Sequence, residues 1–207
     1  MSELSPHSRR LLLGVIAVIT VVNSAAAAFS PYLLVEHPLL LVAGSSVNRH
    51  IALAAALVDP GPLFVVGAAR RMLSVVVTYA VGYVYGATAM RWAKGRMRWL
   101  HAAAGWLQRV LDRFGPALLV PFSSYSLMLL AGATRMPLRR FLLAAGIGNL
   151  LHVGVVVWLG DLVSVWSLVV IDWLGDHLFE STAVCVALVV MQQAVSRIRR
   201  RRAGQLA

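Results

Sequence analysis

The sequence has few cysteines, few acidic residues and no catalytic motif. Its one cysteine, Cys185, lies in an apolar run, and a single cysteine can form neither an intrachain disulfide nor a cysteine metal centre. Eight of the 207 residues are Asp or Glu, and no metalloprotease, serine-hydrolase or phosphate-loop motif occurs. The six histidines are scattered, without a second ligand at metal-binding spacing. We therefore predict that the protein is not an enzyme and holds no metal or other cofactor.

Hydrophobic residues make up 59% of the chain, and the mean hydropathy is +0.77. A soluble domain of this length does not carry that balance, and several windows reach the ~20 apolar residues that a spanning helix needs. The net charge of +11 would also suit a nucleic-acid partner. The arginines, however, lie at the ends of apolar runs, where they set membrane topology. We predict an integral membrane protein with no nucleic-acid partner.

The apolar runs and their breaks divide one membrane domain, residues 1–207, into six parts. Four runs are predicted to span the bilayer, and the second ends in the motif Gly82-x-x-x-Gly86, a weak pointer to an oligomer. The parts are the first helix (1–29), a first repeat half (30–90), an interfacial linker (91–113), a second repeat half (114–160), an outer loop with the last helix (161–196) and a basic tail (197–207).

Two stretches of the chain are similar to each other. Leu39–Leu57 and Leu127–Ile147 each contain an apolar run closing on Ala-Gly, a polar turn with arginine, and an Ala/Leu-rich restart. Each follows a short run broken by prolines, a pattern typical of transporters built from inverted repeats. The predicted fold is therefore an all-α polytopic membrane protein. It has about four spanning helices and two re-entrant helical hairpins, in inverted-repeat halves.

The linker at 91–113 differs from the apolar runs. Trp92, Trp99 and Trp106 recur every seven residues among several basic residues. This pattern predicts a helix lying on an anionic membrane surface, with the tryptophans at headgroup depth. A cytoplasmic linker without membrane contact is the alternative.

The basic segments predict the topology. Arg9-Arg10, the linker and Arg197–Arg202 are expected to be cytoplasmic, which puts both termini inside. The stretch Asp161–Glu180 holds four acidic residues and no Lys or Arg, and is predicted to be outside. Arginine supplies eighteen of the nineteen basic residues, as is typical of a GC-rich bacterial genome. The predicted location is a bacterial inner membrane.

Two series of motifs between Ser30 and Asp161 follow the pattern of a known family. In the first half, HPLLLVAG (His37–Gly44) precedes Asn48-Arg49 and an arginine-containing helix that ends in Tyr85-Gly86. The second half contains in order Pro121, Ala131-Gly132, Met136, Phe141, Gly146, Gly148 and Asn149. Because these motifs occur in this order, the chain resembles the DedA family, the bacterial branch of membrane proteins with a VTT (SNARE-associated) domain.

The resemblance implies a lipid carrier, since bacterial members move undecaprenyl phosphate and eukaryotic relatives scramble phospholipids. The chain departs from the family where two arginines usually flank a Pro-Gly pair: these positions are Leu118 and Ser124 here, and the pair is Pro121-Phe122. Arginine is well suited to bind phosphate. If the ligand is a lipid phosphate, another arginine would have to supply the positive charge that binds it, and the candidates are Arg70, Arg71 and Arg135.

Glu36 is the first candidate site residue. It lies in an apolar segment broken by Pro31 and Pro38, and an acidic side chain at the bilayer centre costs about 2.5–3.5 kcal/mol on insertion scales. A buried Glu36 would be a candidate proton carrier. The alternative is that Glu36 lies in the outer headgroup layer just beyond the first helix.

Arg70 and Arg71 interrupt the second long helix and break the charge rule for topology. They are candidates to bind a lipid phosphate or to pair with Glu36 or Asp59. The alternative is that they anchor a helix end by extending to the membrane surface. Asp59 lies in a Pro-Gly turn, where aspartate is also ordinary turn chemistry.

Asn149, His152 and Ser124 complete the candidate set. Asn149 and His152 are three residues apart on one helix face, where they could line a cavity or relay protons. A hydrogen bond between helices, worth about 0.6–2 kcal/mol, is the alternative. Ser124 and its neighbours Ser123 and Ser126 could bind a ligand or cap the end of a broken helix.

The residues and the resemblance together predict a protein that translocates or scrambles membrane lipid, with proton coupling left open. Two other classes stay open. One is a non-transporting scaffold that binds a partner through the tail Arg197–Ala207 or the tryptophan linker. The other is a transporter of a small solute or ion with the same repeat architecture.

Overall fold

The computed structural model describes residues 6–96, 119–120 and 124–205, and all regular elements in this part are helical. This confirms the predicted all-α class. The helices are α1 (Pro6–Ala28), α2 (Ser30–Glu36), α3 (Pro38–Gly44), α4 (Asn48–Ala54), α5 (Pro60–Arg96), α6 (Tyr125–Ala133), α7 (Leu138–Leu162), α8 (Ser164–Asp176) and α9 (Leu178–Gln205).

Four of these helices contain segments long and apolar enough to cross a membrane. The segments are Arg10–Ala28 in α1, Pro60–Gly86 in α5, Leu138–Leu162 in α7 and Leu178–Ser196 in α9. Among the described residues, the structure thus has four candidates for the roughly four spanning helices predicted from the sequence. The chain divides into two compact units: Met1–Val18 with Ala68–Val155, and Ile19–Gly67 with Val156–Ala207.

The first unit has a core in which α5, α6 and α7 meet. Phe141 and Met128 are fully buried in it, and the ring of Tyr79 stacks on that of Phe141 with centroids 4.1 Å apart. The Tyr79 hydroxyl donates to the Met136 carbonyl at 2.6 Å. Tyr79 therefore ties the loop before α7 to the middle of α5.

The glycines of α5 and α6 let these two helices approach closely. A Cβ at Gly82 would overlap the backbone carbonyl of Leu129, and a Cβ at Gly132 would overlap that of Tyr79. Gly86 likewise faces Ala133. The reading of Gly82-x-x-x-Gly86 as an oligomer motif is wrong, because this small-residue face packs within the chain.

The second unit contains the proline-broken segment at 30–47, where we predicted a re-entrant hairpin. Two short helices, α2 and α3, meet at a break at His37, and a proline lies in the first turn of each. Proline fits the first turn because those amides have no intrahelical acceptor. Leu41 and Val42 of α3 are fully buried, while α2 contacts α4, α8 and α9.

Three predicted breaks are helical in the structure. Asn48-Arg49-His50, predicted as a turn, begins α4. Helix α5 begins at Pro60, within the Pro-Gly turn predicted at Asp59, since its prolines occupy the first turn, where they are tolerated. The predicted outer loop after Gly160 contains α8, an apolar helix with few charges.

Two spanning helices also run past their predicted ends. Helix α5 continues to Arg96 and so takes the first residues of the predicted linker, including Trp92. Helix α9 continues through the basic run to Gln205. The rest of the linker, with Trp99 and Trp106, lies outside the described residues, as does most of the second proline-broken segment before Ser124.

Candidate functional site

Arg70 and Arg71 are the buried charged residues in the described part of the first unit. They lie within the segment of α5 that is long and apolar enough to cross a membrane, and their side chains are only 8% and 4% exposed. Each charge at the bilayer centre costs about 2.5–3.5 kcal/mol on insertion scales, and such charges commonly mark ion or substrate sites. The alternative in which both arginines extend to the membrane surface is wrong, because both are buried.

Helices α5 and α6 both supply neighbours of the arginine pair. The Arg70 Nη1 donates to the Ser74 Oγ at 2.7 Å, one turn further along α5. The guanidinium carbon of Arg71 lies 5.8 Å from the ring centroid of Tyr125, within the range of a cation–π contact. Tyr125 is the first residue of α6, so the contact brings Arg71 to the beginning of that helix.

Ser124 occupies the N-cap position of α6 and makes no capping hydrogen bond through its side chain. Ser124 and Tyr125 are both exposed. The first amides of a helix carry a partial positive charge and attract anions. The beginning of α6 therefore adds an accessible electropositive element next to Arg71.

Helix α7 contributes Asn149 and His152 to this region. The Asn149 Nδ2 donates to the Ala68 carbonyl at 2.9 Å. This is the hydrogen bond between helices that the sequence offered as the alternative to a functional role for Asn149. His152 is half-buried and interacts electrostatically with Arg71. Its Nε2 has no hydrogen-bond partner among the described residues. The structure thus brings Arg71, His152 and the Ser124–Tyr125 end of α6 into one cationic site.

Glu36 and Asp59 belong to the second unit, and both side chains are exposed. The expectation that Glu36 is buried in its apolar segment is wrong. Glu36 is the last residue of α2, immediately before the break at His37, and this position turns its side chain out of the packed helices. The proline break that drew attention to Glu36 is also the reason for its exposure.

Two polar features of the second unit were missed by the sequence interpretation. A pocket of about 280 Å³ lies between α1 and α9 and is lined by Asn23, Ser24, Gln192, Gln193 and Ser196. The adjacent glutamines within an apolar run were the available signal. His50 is buried, and burial together with the positive charge of Arg49 lowers its pKa from 6.5 to about 4.

Tyr125 was also missed, although it supplies the aromatic face for Arg71. Its neighbour Ser124 was a candidate site residue only because it lies in a proline-broken segment. No periodicity in the sequence indicates that either residue lies near α5.

Comparison of the chain with family models, with curated proteins and with solved structures found no match.

Proposed function

We propose that the protein translocates or scrambles a membrane lipid with an anionic headgroup, and that Arg70 and Arg71 bind the headgroup. The observation that carries this proposal is the buried arginine pair in a membrane-spanning segment, with Arg71 in contact with the first residue of α6. We further propose a bacterial inner membrane location, with both termini cytoplasmic.

The charge composition supports an anionic ligand for the first unit. The sequence ranges of this unit contain two acidic residues, Glu3 and Asp112, against thirteen basic ones. Guanidinium groups bind phosphate through two parallel, charge-assisted hydrogen bonds. The Tyr125 hydroxyl and the His152 ring are potential hydrogen-bond donors near Arg71, and the first amides of α6 add a partial positive charge. A phosphate-bearing headgroup fits this donor set best.

Transport of a lipid is supported by the broken helices and by the resemblance to the DedA family. Short helices such as α2 and α3, which meet at a proline break, are typical of transporters with re-entrant hairpins and inverted repeats. We propose this architecture for both halves of the chain. A polyprenyl phosphate is the first substrate to test, and a zwitterionic phospholipid is the second.

Lipid flux in proteoliposomes tests the proposal. The double variant Arg70→Gln/Arg71→Gln should lower the flux of a polyprenyl phosphate by roughly a hundredfold or more, because it removes two charge-assisted contacts and each is worth about 1.5–3 kcal/mol. The matched control is Arg139→Gln, at an exposed arginine of α7, which should transport like the wild type. Flux of the double variant equal to that of the wild type would contradict the assigned role of the arginines.

Proton coupling is tested in the same vesicles with Glu36→Gln. Flux that follows an imposed pH gradient in the wild type and ignores it in the variant would assign Glu36 a proton-carrying role. A wild-type flux equal to that of empty vesicles for both lipids would refute transport of lipid. The scaffold alternative then predicts a bound partner that is lost when Arg197–Ala207 is deleted.

One observation favours a second candidate, transport of a small polar solute. The pocket with Asn23, Gln192 and Gln193 has a polar lining on two helices that contain candidate spans, and a few placed polar groups in a concave site suit a small polar solute. The discriminating measurement is solute-dependent proton flux that is insensitive to lipid identity and is reduced by Gln193→Leu.

A further inference from the structure

Arg135 has a backbone conformation that usually belongs to glycine. Its φ angle is 57°, the only positive value at a non-glycine residue in the described part of the chain. It follows Thr134, the C-cap of α6. The Arg135 amide bonds to the Gly132 carbonyl at 2.9 Å, and the Met136 amide bonds to the Ala131 carbonyl at 3.0 Å. These two bonds form a Schellman motif, in which glycine is the favoured residue at this position.

The side chain of Arg135 contacts an aromatic ring on α5. Its guanidinium carbon lies 5.4 Å from the ring centroid of Tyr83 on α5. The following residue, Met136, accepts the hydrogen bond from the Tyr79 hydroxyl, which holds the loop against α5. A non-glycine residue kept in a strained conformation by its surroundings is a recognised feature of ligand-binding sites.

An apolar groove begins at Arg135 and runs along α5. It has a volume of about 600 Å³, within the range of ligand pockets, about 300–1,000 Å³. Its walls are largely hydrophobic and include Val76, Ala80, Val84, Pro137 and Leu138. Arg135 is the one charged residue among those lining it, and it is exposed.

The groove lies at one end of a spanning segment. Leu138 is the first residue of α7, and the exposed Arg139 and Arg140 follow it directly. Arginines at the end of a spanning helix lie at headgroup depth. Arg135 is therefore placed to meet a lipid headgroup, while the groove is placed to accept a hydrocarbon chain.

We propose that this groove binds one acyl chain of a membrane lipid, and that Arg135 holds the phosphate of the headgroup of the same lipid. The proposal rests on the proposed function in that it takes the ligand to be a membrane lipid. Tyr83 is twelve residues from Arg71 on α5, which corresponds to about 18 Å along a helix. The headgroup position at Arg135 is therefore separate from the buried arginine pair and lies at the membrane surface, while the other end of the groove, at Val76, is five residues from Arg71, about 7.5 Å along the helix.

The experiment measures equilibrium lipid binding to the detergent-solubilised full chain by native mass spectrometry. The probes are dioleoyl phosphatidic acid and dioleoylglycerol, which share their acyl chains and differ in the phosphate. We expect phosphatidic acid to bind more tightly to the wild type. Arg135→Gly should lose about ten- to a hundredfold in this affinity, as expected for one charge-assisted contact, while its affinity for dioleoylglycerol stays unchanged.

Three further variants make the result specific. Arg135→Lys keeps the positive charge and should keep most of the preference for phosphatidic acid. Arg139→Gln removes a neighbouring exposed arginine and should bind both probes like the wild type. Ala80→Phe narrows the groove and should weaken binding of both probes. Arg135→Gly should also melt at a temperature no lower than the wild type, because glycine suits the left-handed conformation.

Equal affinity of the wild type for the two probes would overturn the proposal, as would an unchanged affinity of Arg135→Gly for phosphatidic acid. An equal loss in Arg139→Gln would also overturn it, because the effect would then be one of general surface charge. The proposed transport function and the proposed groove are refuted by different results. Absent flux with Arg135-dependent binding refutes transport alone, and normal flux without Arg135-dependent binding refutes the groove alone.

Discussion

Replacing Gly82 by alanine is expected to separate α5 from α6. The new Cβ would overlap the Leu129 carbonyl oxygen, and it would lie 2.8 Å from the Leu129 carbonyl carbon and 3.1 Å from the Ala133 amide nitrogen. All three are backbone atoms of α6, so no flexible side chain can move aside. The helices must shift, and the contact between Arg71 on α5 and Tyr125 on α6 is expected to loosen.

The magnitude follows from the cost of overpacking, about 1–3 kcal/mol. For a chain of about 150–250 residues, each kcal/mol corresponds to roughly 2–4 °C in melting temperature. Gly82→Ala should therefore lower the apparent melting temperature in detergent by roughly 2–12 °C, within the same relation. The control is Gly146→Ala on α7, where an added Cβ meets nothing within 4 Å and alanine should gain about 0.5–1 kcal/mol in helix propensity.

The assay is thermal unfolding of both variants under identical detergent conditions, together with lipid flux. The two glycine substitutions should change the melting temperature in opposite directions, and only Gly82→Ala should lower flux. If Gly82→Ala melts no lower than Gly146→Ala, the close approach of α5 and α6 is wrong.

Two further results are expected from buried polar residues outside the arginine pair. His50 has a pKa lowered to about 4, so below pH 6.5 the unfolded chain binds a proton that the folded chain excludes. The free energy of unfolding should then fall by up to about 3 kcal/mol between pH 6.5 and 4. A pH series of melting curves should show a shallower fall for His50→Gln, and parallel curves would contradict this reasoning. Asn149→Leu removes the hydrogen bond to the Ala68 carbonyl and should cost about 0.6–2 kcal/mol in stability. With a structural role alone, flux per folded protein stays at the wild-type level, whereas a loss of flux at unchanged stability would assign Asn149 to the transport pathway.

Much of the fold could be predicted from the sequence because hydropathy is a local property. A run of about twenty apolar residues must form a helix in a membrane, since its backbone polar groups have no other partners there. The four helical segments that could span a membrane therefore lie where the apolar runs are. Element ends were predicted less well, because Pro60 and Pro62 were read as a break although the first turn of a helix accepts proline.

The candidate site could be predicted only in part. Arg70 and Arg71 were identified because charges inside an apolar run are visible in the sequence. Tyr125 was not, because it reaches Arg71 only through the packing of α6 against α5. The expected burial of Glu36 was wrong for a similar reason: the sequence shows its apolar neighbours, but the direction of its side chain depends on where α2 ends.

The sequence by itself determined the membrane class, the helical content and the positions of the unusual charges, because each follows from residues within one or two helical turns. The tertiary structure decided which charges are buried, that Gly82 and Gly132 face each other's helices within the chain, and that Arg135 adopts a left-handed conformation beside Tyr83. These features depend on the rotation and register of one helix against another. Residues far apart in the chain set both, and a shift of one residue turns a side chain by about 100° around its helix axis.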